Sequence, residues 1–191
     1  MLTGEKFPPF LTHSTLPPGK TLTEIPQCII NFYDKILSDV TGGGRDAKLI
    51  DETVAEDWQS RPNGLDVVGG IGPNKDGLKT FMGLFGAIMP NIKFDRQLTL
   101  LCDDKVVVLS KVTATIENIP EGMEEIPFWP GIHAEDLLGK SFETLALDVQ
   151  TIRDGLIKQS WHIEDWQTAL EQMLKGKPAP DFGLDLEYLN F

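Results

Sequence analysis

Cysteine is scarce: Cys28 and Cys102 are the two in 191 residues. Two are too few for a disulfide framework, and neither has metal-ligand spacing, so reduced thiols in a cytoplasmic setting are expected. Histidine is nearly as rare, and His13, His133 and His162 show no zinc-type spacing. Basic residues are outnumbered, 17 against 29 acidic ones, which leaves a formal net charge of −12. Such a surface repels phosphate backbones and anionic membranes, and no Lys/Arg run offsets it. Nucleic acid and membrane are therefore not expected as partners. No apolar run approaches the roughly 20 residues of a membrane span, and the first residues hold no continuous apolar core of a signal peptide.

What is present is enough chain for one domain with a sizeable core and extended ends. Pro8, Pro9, Pro17, Pro18 and Gly19 mark residues 1–22 as an extended segment that wraps the domain. The domain itself spans 23–175, and the tail at 176–191 returns to Pro, Gly and acidic residues. Ile25, Ile29, Phe32, Tyr33, Ile36 and Val40 recur at helical spacing, so 24–39 reads as an amphipathic helix that Thr23 caps. The glycine triplet of TGGGR at 41–45 lacks the strand and the Gly-Lys-Ser/Thr ending of a phosphate loop, and reads as a flexible turn. A short helix at 46–56 follows. Gly72, Pro73 and Asn74 then open a helix over 74–89, whose stripe of Leu78, Phe81, Met82, Phe85, Ile88 and Met89 must cover something apolar.

The strands supply that partner. Ile92, Phe94, Leu98 and Leu100 alternate with polar residues, a β-branched run covers 105–117, and 141–153 forms a third strand. Three helices followed by long antiparallel strands is an α+β pattern. A sheet of such strands curves, and helices on its concave side leave a cone with a cavity, a common ligand site. The loop at 118–140 is too long for a simple connection and too apolar for disorder, with Phe128, Trp129, Ile132, Leu137 and Leu138. It is expected to act as a lid or to pack on a second subunit.

The closing stretch, IRDGLIKQSWHIEDW at 152–166, carries the most chemistry. Asp154-Gly155 suits a type I′ hairpin turn. Strict alternation then puts Ile157, Gln159, Trp161, Ile163 and Asp165 on one face, and Lys158, Ser160, His162 and Glu164 on the other. On that count Asp165 ends an apolar, cavity-facing row, where an unpaired charge is costly, while His162 and Glu164 point outward unless a bulge intervenes. Asp165 also immediately precedes a helix at about 166–174 and suits its N-cap.

The sequence of strand, Asp154-Gly155, strand, Trp161, three residues, Asp165 and helix resembles the closing hairpin of the SnoaL-like polyketide cyclases, within the NTF2-like α+β fold. Weaker echoes lie in AEDWQSRP at 55–62, at Gly72-Pro73 and in GKSFE at 139–143. The resemblance covers roughly 24–174. It implies a cone of three N-terminal helices packed on a curved antiparallel sheet enclosing a cavity. It also implies that the carboxylate at Asp165 shuttles a proton during intramolecular aldol ring closure, and that the segment around Trp58 enters the cavity. The family often has His where Arg61 stands.

Proton transfer beside a carbonyl calls for a base in a dry pocket, and for no metal or organic cofactor. Asp165 is the expected acid/base, with His162 in reserve. Trp58, Arg61, Phe85, His133, Gln159 and Trp161 are the expected substrate contacts, and Gln159, Arg61, Asp148 and His133 are candidates to orient the titrating group. The expected function is a cofactor-independent cyclase or isomerase of a hydrophobic carbonyl compound. The alternative is a non-catalytic small-molecule-binding or dimerisation module on the same cone. The central strand at 105–117 carries apolar residues on both faces, so a homodimer through the sheet is expected.

Overall fold

In the computed structural model, residues 22–61 and 73–176 are described. The first helix, α1, is an α-helical turn, Gln27–Ile30, that runs on as π-helical turns, Asn31–Leu37. It starts later than a Thr23 cap predicts, because Pro26 occupies the N-cap in an extended conformation. Cys28, Ile29, Phe32, Tyr33, Ile36 and Leu37 are its buried face. The glycine turn that follows is tightly packed rather than loose: a Cβ on Gly43 would lie 2.2 Å from the Lys35 carbonyl oxygen. Asp46 accepts from the amides of Lys48 and Leu49 and so caps α2, Ala47–Asp51.

Here the chain departs from the helix expected at 46–56. Val54–Arg61 is extended and forms β1. Asn74 caps α3, Lys75–Ile88, by accepting from the Gly77 amide at 2.9 Å. The expected stripe of Leu78, Phe81, Met82, Phe85 and Ile88 is buried. Then come β2 (Lys93–Cys102), β3 (Lys105–Thr115), β4 (Ser141–Arg153), β5 (Leu156–Glu164) and α4 (Trp166–Lys175).

The five strands form one curved sheet in the order β1-β5-β4-β3-β2. The last four are antiparallel, and Asp154 (φ 52) and Gly155 (φ 78) make the hairpin turn between β4 and β5 in the left-handed region that this pair tolerates. β1 corrects the wholly antiparallel expectation, since it joins the edge parallel to β5. α1 and α3 bury Val106, Val108, Val112 and Ala146 of the concave face in one apolar core.

A bulge decides which residues meet that core. Ile152 pairs with Ile157, but Thr151 pairs with Gln159, so Lys158 is an extra residue on β5. An extra residue reverses the side-chain alternation beyond it. Ile157 is buried, and after Lys158 it is Ser160, His162 and Glu164 that face inward. Gln159, Trp161 and Ile163 face outward, and Ile163 is 67% exposed. The outward face is apolar too. Leu98, Leu109, Leu147 and Ile163 lie in register across four strands, as do Leu100, Val107, Val149 and Trp161.

The loop at 118–140 packs on its own domain. The Glu117 and Asn118 amides donate to the Ile88 carbonyl, and Ile116 and Gly139 close the other end. Ile126, Trp129, Ala134 and Leu137 are buried. The segment 1–21 with His13, the position Gly72 and the tail from 177 lie outside the described residues. Among the described residues, no helix is long and apolar enough to cross a membrane.

Candidate active site

Between the helices and the sheet lies a cavity of about 40 Å³, room for two or three water molecules. Its helical wall is apolar: Phe32 and Leu37 of α1, and Leu78, Phe81, Met82 and Phe85 of α3. Its sheet wall is mostly polar, with Ser60 on β1, Asp148 and Gln150 on β4, and Ser160, His162 and Glu164 on β5 beside the ring of Phe94 on β2. Trp58 reaches in from β1, where the register slips between Val54 and Gln59.

The polar groups are joined. The Trp58 indole N–H donates to Ser160 Oγ at 2.9 Å, and that hydroxyl donates to Gln150 Oε1 at 2.6 Å. Gln150 Nε2 donates to the Tyr33 hydroxyl at 2.9 Å, and Tyr33 in turn donates to the Asp148 carboxyl. Asp148 stands directly opposite His162 in the β4–β5 register. Neutral links of this kind satisfy buried dipoles and fix the orientation of the group at the end of the row.

That group is perturbed. Burial raises the Asp148 carboxyl from 3.8 to about 7, against the opposing attraction of His162 and the Tyr33 hydrogen bond; the neighbouring Glu164 charge adds to the rise. Glu164 is also pushed up to about 7 by burial, while the Trp166 indole N–H, 2.8 Å from Oε2, works the other way. Burial holds the Tyr33 hydroxyl well above its usual value, and the Asp148 charge reinforces this. Two carboxyls that titrate near neutrality and a histidine thus line one small space, the arrangement that acid/base chemistry at pH 7 requires.

Of the residues singled out in the sequence, the structure brings Trp58, Phe85, His162 and the orienting candidate Asp148 to the cavity. It does not bring Asp165. The Asp165 carboxylate is exposed and caps α4, accepting from the Thr168 amide at 3.0 Å and the Thr168 hydroxyl at 2.6 Å. The Lys158 bulge is the reason, because it ends the parity on which a cavity-facing Asp165 rested. The same reversal turns Gln159 and Trp161 onto the outer face. Arg61 ends β1 opposite Trp161, in alternation with the cavity-lining Ser60. His133 is exposed on the long loop, in a groove with Glu124, Glu135 and Asp136.

The sequence pattern gives Asp148 only as an orienting candidate, puts Tyr33 in the apolar stripe of the first helix, places Ser160 and Glu164 on the outward face, and does not single out Gln150. The available signal was polar alternation on two neighbouring strands: Asp148 and Gln150 on one, Ser160, His162 and Glu164 on the next. Burial pushes the Cys28 thiol up to about 11, which disfavours its thiolate form. No group of three or more His, Cys, Asp or Glu able to hold a metal ion occurs among the described residues.

A mixed α+β cone with a polar-floored cavity under two helices defines the NTF2-like class. Within it, the fold is similar to that of solved structures named as candidate polyketide cyclases. No family model matches the sequence, and no curated protein matches it. Solved structures do. The chain is similar to a candidate polyketide cyclase from Bacillus cereus ATCC 10987, at 25% identity over 78% of both chains with a TM-score of 0.55. It is similar to IdmH, a candidate polyketide cyclase from Streptomyces antibioticus, at 21% identity over 77% of this chain and 96% of that one, TM-score 0.56. A candidate SnoaL-like polyketide cyclase from Jannaschia sp. CCS1 matches over its whole length and 84% of this chain, at 14% identity and TM-score 0.55. At such identities the second and third speak for the fold alone.

Proposed function

We propose that this protein is an acid/base enzyme that moves a proton to and from the carbon beside a carbonyl in an apolar, polyketide-like substrate, as a cyclase or isomerase does. The observation that carries the reading is the buried Asp148, opposite His162 and wired through Tyr33, Gln150 and Ser160 to Trp58. The solved structures named as candidate polyketide cyclases support the same class. Asp148 in its ionised form takes the proton from the α-carbon. His162 presents a ring N–H to the oxygen on which charge develops. In ring closure the enolate carbon then attacks a second carbonyl of the same molecule, and the proton held by Asp148 goes to the new alkoxide. No atom is gained or lost, so the residues of the cavity suffice for the step.

The reading places the enzyme in a reducing, cytoplasmic compartment, in keeping with its two unpaired thiols, and includes a homodimer through the outer sheet face. The two apolar rows across β2 to β5 support the dimer: Ile163 is 67% and Leu147 43% exposed, and a solvated face rarely carries such a band.

Deuterium uptake by 2-tetralone, a small benzylic ketone with acidic α-protons, tests the chemistry by NMR. Wild type is expected to accelerate uptake over buffer, and Asp148→Asn and His162→Gln to lose about 10²–10⁴-fold and a smaller factor, respectively. If the ketone binds and exchanges no faster than in buffer, the non-catalytic binding module replaces the enzyme.

A further inference from the structure

The cavity is far smaller than any polycyclic or chain-like carbonyl compound, so part of its wall must yield when a substrate is admitted. The helical wall belongs to the core of the domain, and the sheet wall to a five-stranded ladder. The remaining boundary is at the Glu164 end of β5, where the long loop meets α4. There Phe128 stacks on Trp166, with ring centroids 5.4 Å apart and planes 17° from parallel. Phe128 also lies edge-on to Phe81 at 5.5 Å and tilted on Phe85 at 5.2 Å, two side chains of the cavity wall. Phe128 and Trp166 are both only partly buried, unlike the rings beneath them. Left-handed glycines flank this stretch at Gly122 (φ 79) and Gly131 (φ 83), with open space around each.

Trp166 is the joint between this plug and the site. Its indole N–H donates to Glu164, a cavity-lining carboxyl. Its backbone carbonyl accepts from the Trp129 indole at 3.0 Å, and Trp129 adjoins Phe128 in the loop. One residue therefore touches both the group that can move a proton and the segment that can move aside.

We propose that Trp166 is a positioning residue that couples closure of the Phe128 plug to the arming of Glu164 as the second proton-transfer group of the cavity. The proposal rests on the acid/base reading above and adds, beside the hydrogen bond from His162, a group that can hand a full proton to the carbonyl oxygen. With the plug closed, the half-buried Glu164 is held back from bulk water and holds its proton up to about pH 7, while the indole N–H binds its second oxygen. As Asp148 takes the α-proton, Glu164 gives its own to the carbonyl oxygen, so one carboxyl gains the proton the other loses. The reverse pair of transfers after ring closure or isomerisation restores both. With the plug open, water reaches Glu164, which ionises at neutral pH and can no longer donate. Among the described residues, the titratable groups that share the cavity with Glu164 or interact with it are Asp148 from β4, His162 from its own strand and Tyr33 from α1, and α3 contributes the apolar Leu78, Phe81, Met82 and Phe85.

The test needs no substrate. The full chain is labelled with glutamate carrying carbon-13 at the carboxyl, and Glu164 is assigned by the signal that Glu164→Gln removes. In wild type it is expected to titrate near 7. Trp166→Phe keeps a ring for the stack but removes the donor that stabilises the ionised form, so the midpoint rises. Phe128→Ala, with Phe128→Leu as a milder second variant, keeps the donor but unplugs the cavity, so the midpoint falls toward the ordinary carboxylate range. Opposite displacements support the coupling, which a purely structural role for either ring would not produce. A Trp166→Phe midpoint that stays put or falls, or Phe128 variants that leave it in place, overturns it. Should the displacements appear while Asp148→Asn leaves deuterium exchange untouched, the coupling stands and the Asp148 reading fails.

Discussion

Asp148→Asn is expected to inactivate the protein and to stabilise it at alkaline pH. The Asp148 carboxyl is 6% exposed, and burial lifts it from 3.8 to about 7. Between those values the native state holds a proton that the unfolded chain has released. Stability therefore falls as pH rises through this window, and the loss is complete above the native value. At about 1.4 kcal/mol per pH unit, the whole window is worth about 4 kcal/mol. That is a large share of the 5–15 kcal/mol by which domains are usually stable.

Asparagine keeps the shape, and its carbonyl oxygen still accepts from Tyr33, but nothing on it ionises. Urea unfolding of both proteins at pH 5, 6, 7 and 8 gives the difference in stability at each pH, in which the titration of all other groups cancels to first order. Relative to wild type, the variant should gain about 3 kcal/mol between pH 5 and 8, levelling off above 7. Parallel curves over that range would refute the argument, because they would mean that Asp148 is ionised throughout and solvated in the native state.

Two further outcomes follow from the same contacts. Tyr33→Phe removes a donor to Asp148 and leaves Gln150 Nε2 without its acceptor. The pH profile of exchange should therefore move to higher pH, and unfolding free energy should fall by about 1–3 kcal/mol. Wild type should sediment at about twice the 21.2 kDa of one chain, and the pair Leu147→Lys and Ile163→Lys, which places charge on two adjacent members of the apolar row, should sediment as a single chain. Wild type sedimenting as one chain at tens of micromolar would remove the dimer.

Much of the fold was legible because its signals are local. The Asn74 cap, the apolar stripe of α3 and the Asp154-Gly155 turn each depend on neighbours in sequence, and each stands where its residues place it. β1 was not legible as a strand, since Val54–Arg61 takes its meaning from a parallel partner about a hundred residues away. The site was misread for a different reason. The rule that apolar residues face the core inverts on β4 and β5, whose polar residues line a cavity while Leu145, Leu147, Val149, Trp161 and Ile163 cover the outer face. Once both faces carry apolar or functional residues, hydropathy no longer fixes parity, and one inserted residue does. Lys158 is that residue. No propensity marks it as a bulge; its ammonium pairs with Asp57 on the neighbouring edge strand, a contact only the fold reveals.

Asp165 is where the two kinds of argument meet, and a substitution separates them. The family resemblance assigns the proton shuttle to this carboxylate, whereas here its oxygens hold the first turn of α4 through Thr168 and face solvent. Asparagine caps a helix about as well as aspartate, and alanine does not. Asp165→Ala should therefore cost about 1 kcal/mol, or roughly 2–4 °C in Tm for a chain of this size, with Asp165→Asn close to wild type. Both folded variants should exchange deuterium into 2-tetralone at nearly the wild-type rate, since neither touches Asp148, His162 or the Tyr33 hydroxyl. Were Asp165→Asn instead to melt like wild type yet lose exchange by two orders of magnitude while Asp148→Asn kept it, the carboxylate at the cap would be the base. The end of β5 would then have to unwind during turnover to bring Asp165 inward, and the closed cavity would be a resting state rather than the reactive one.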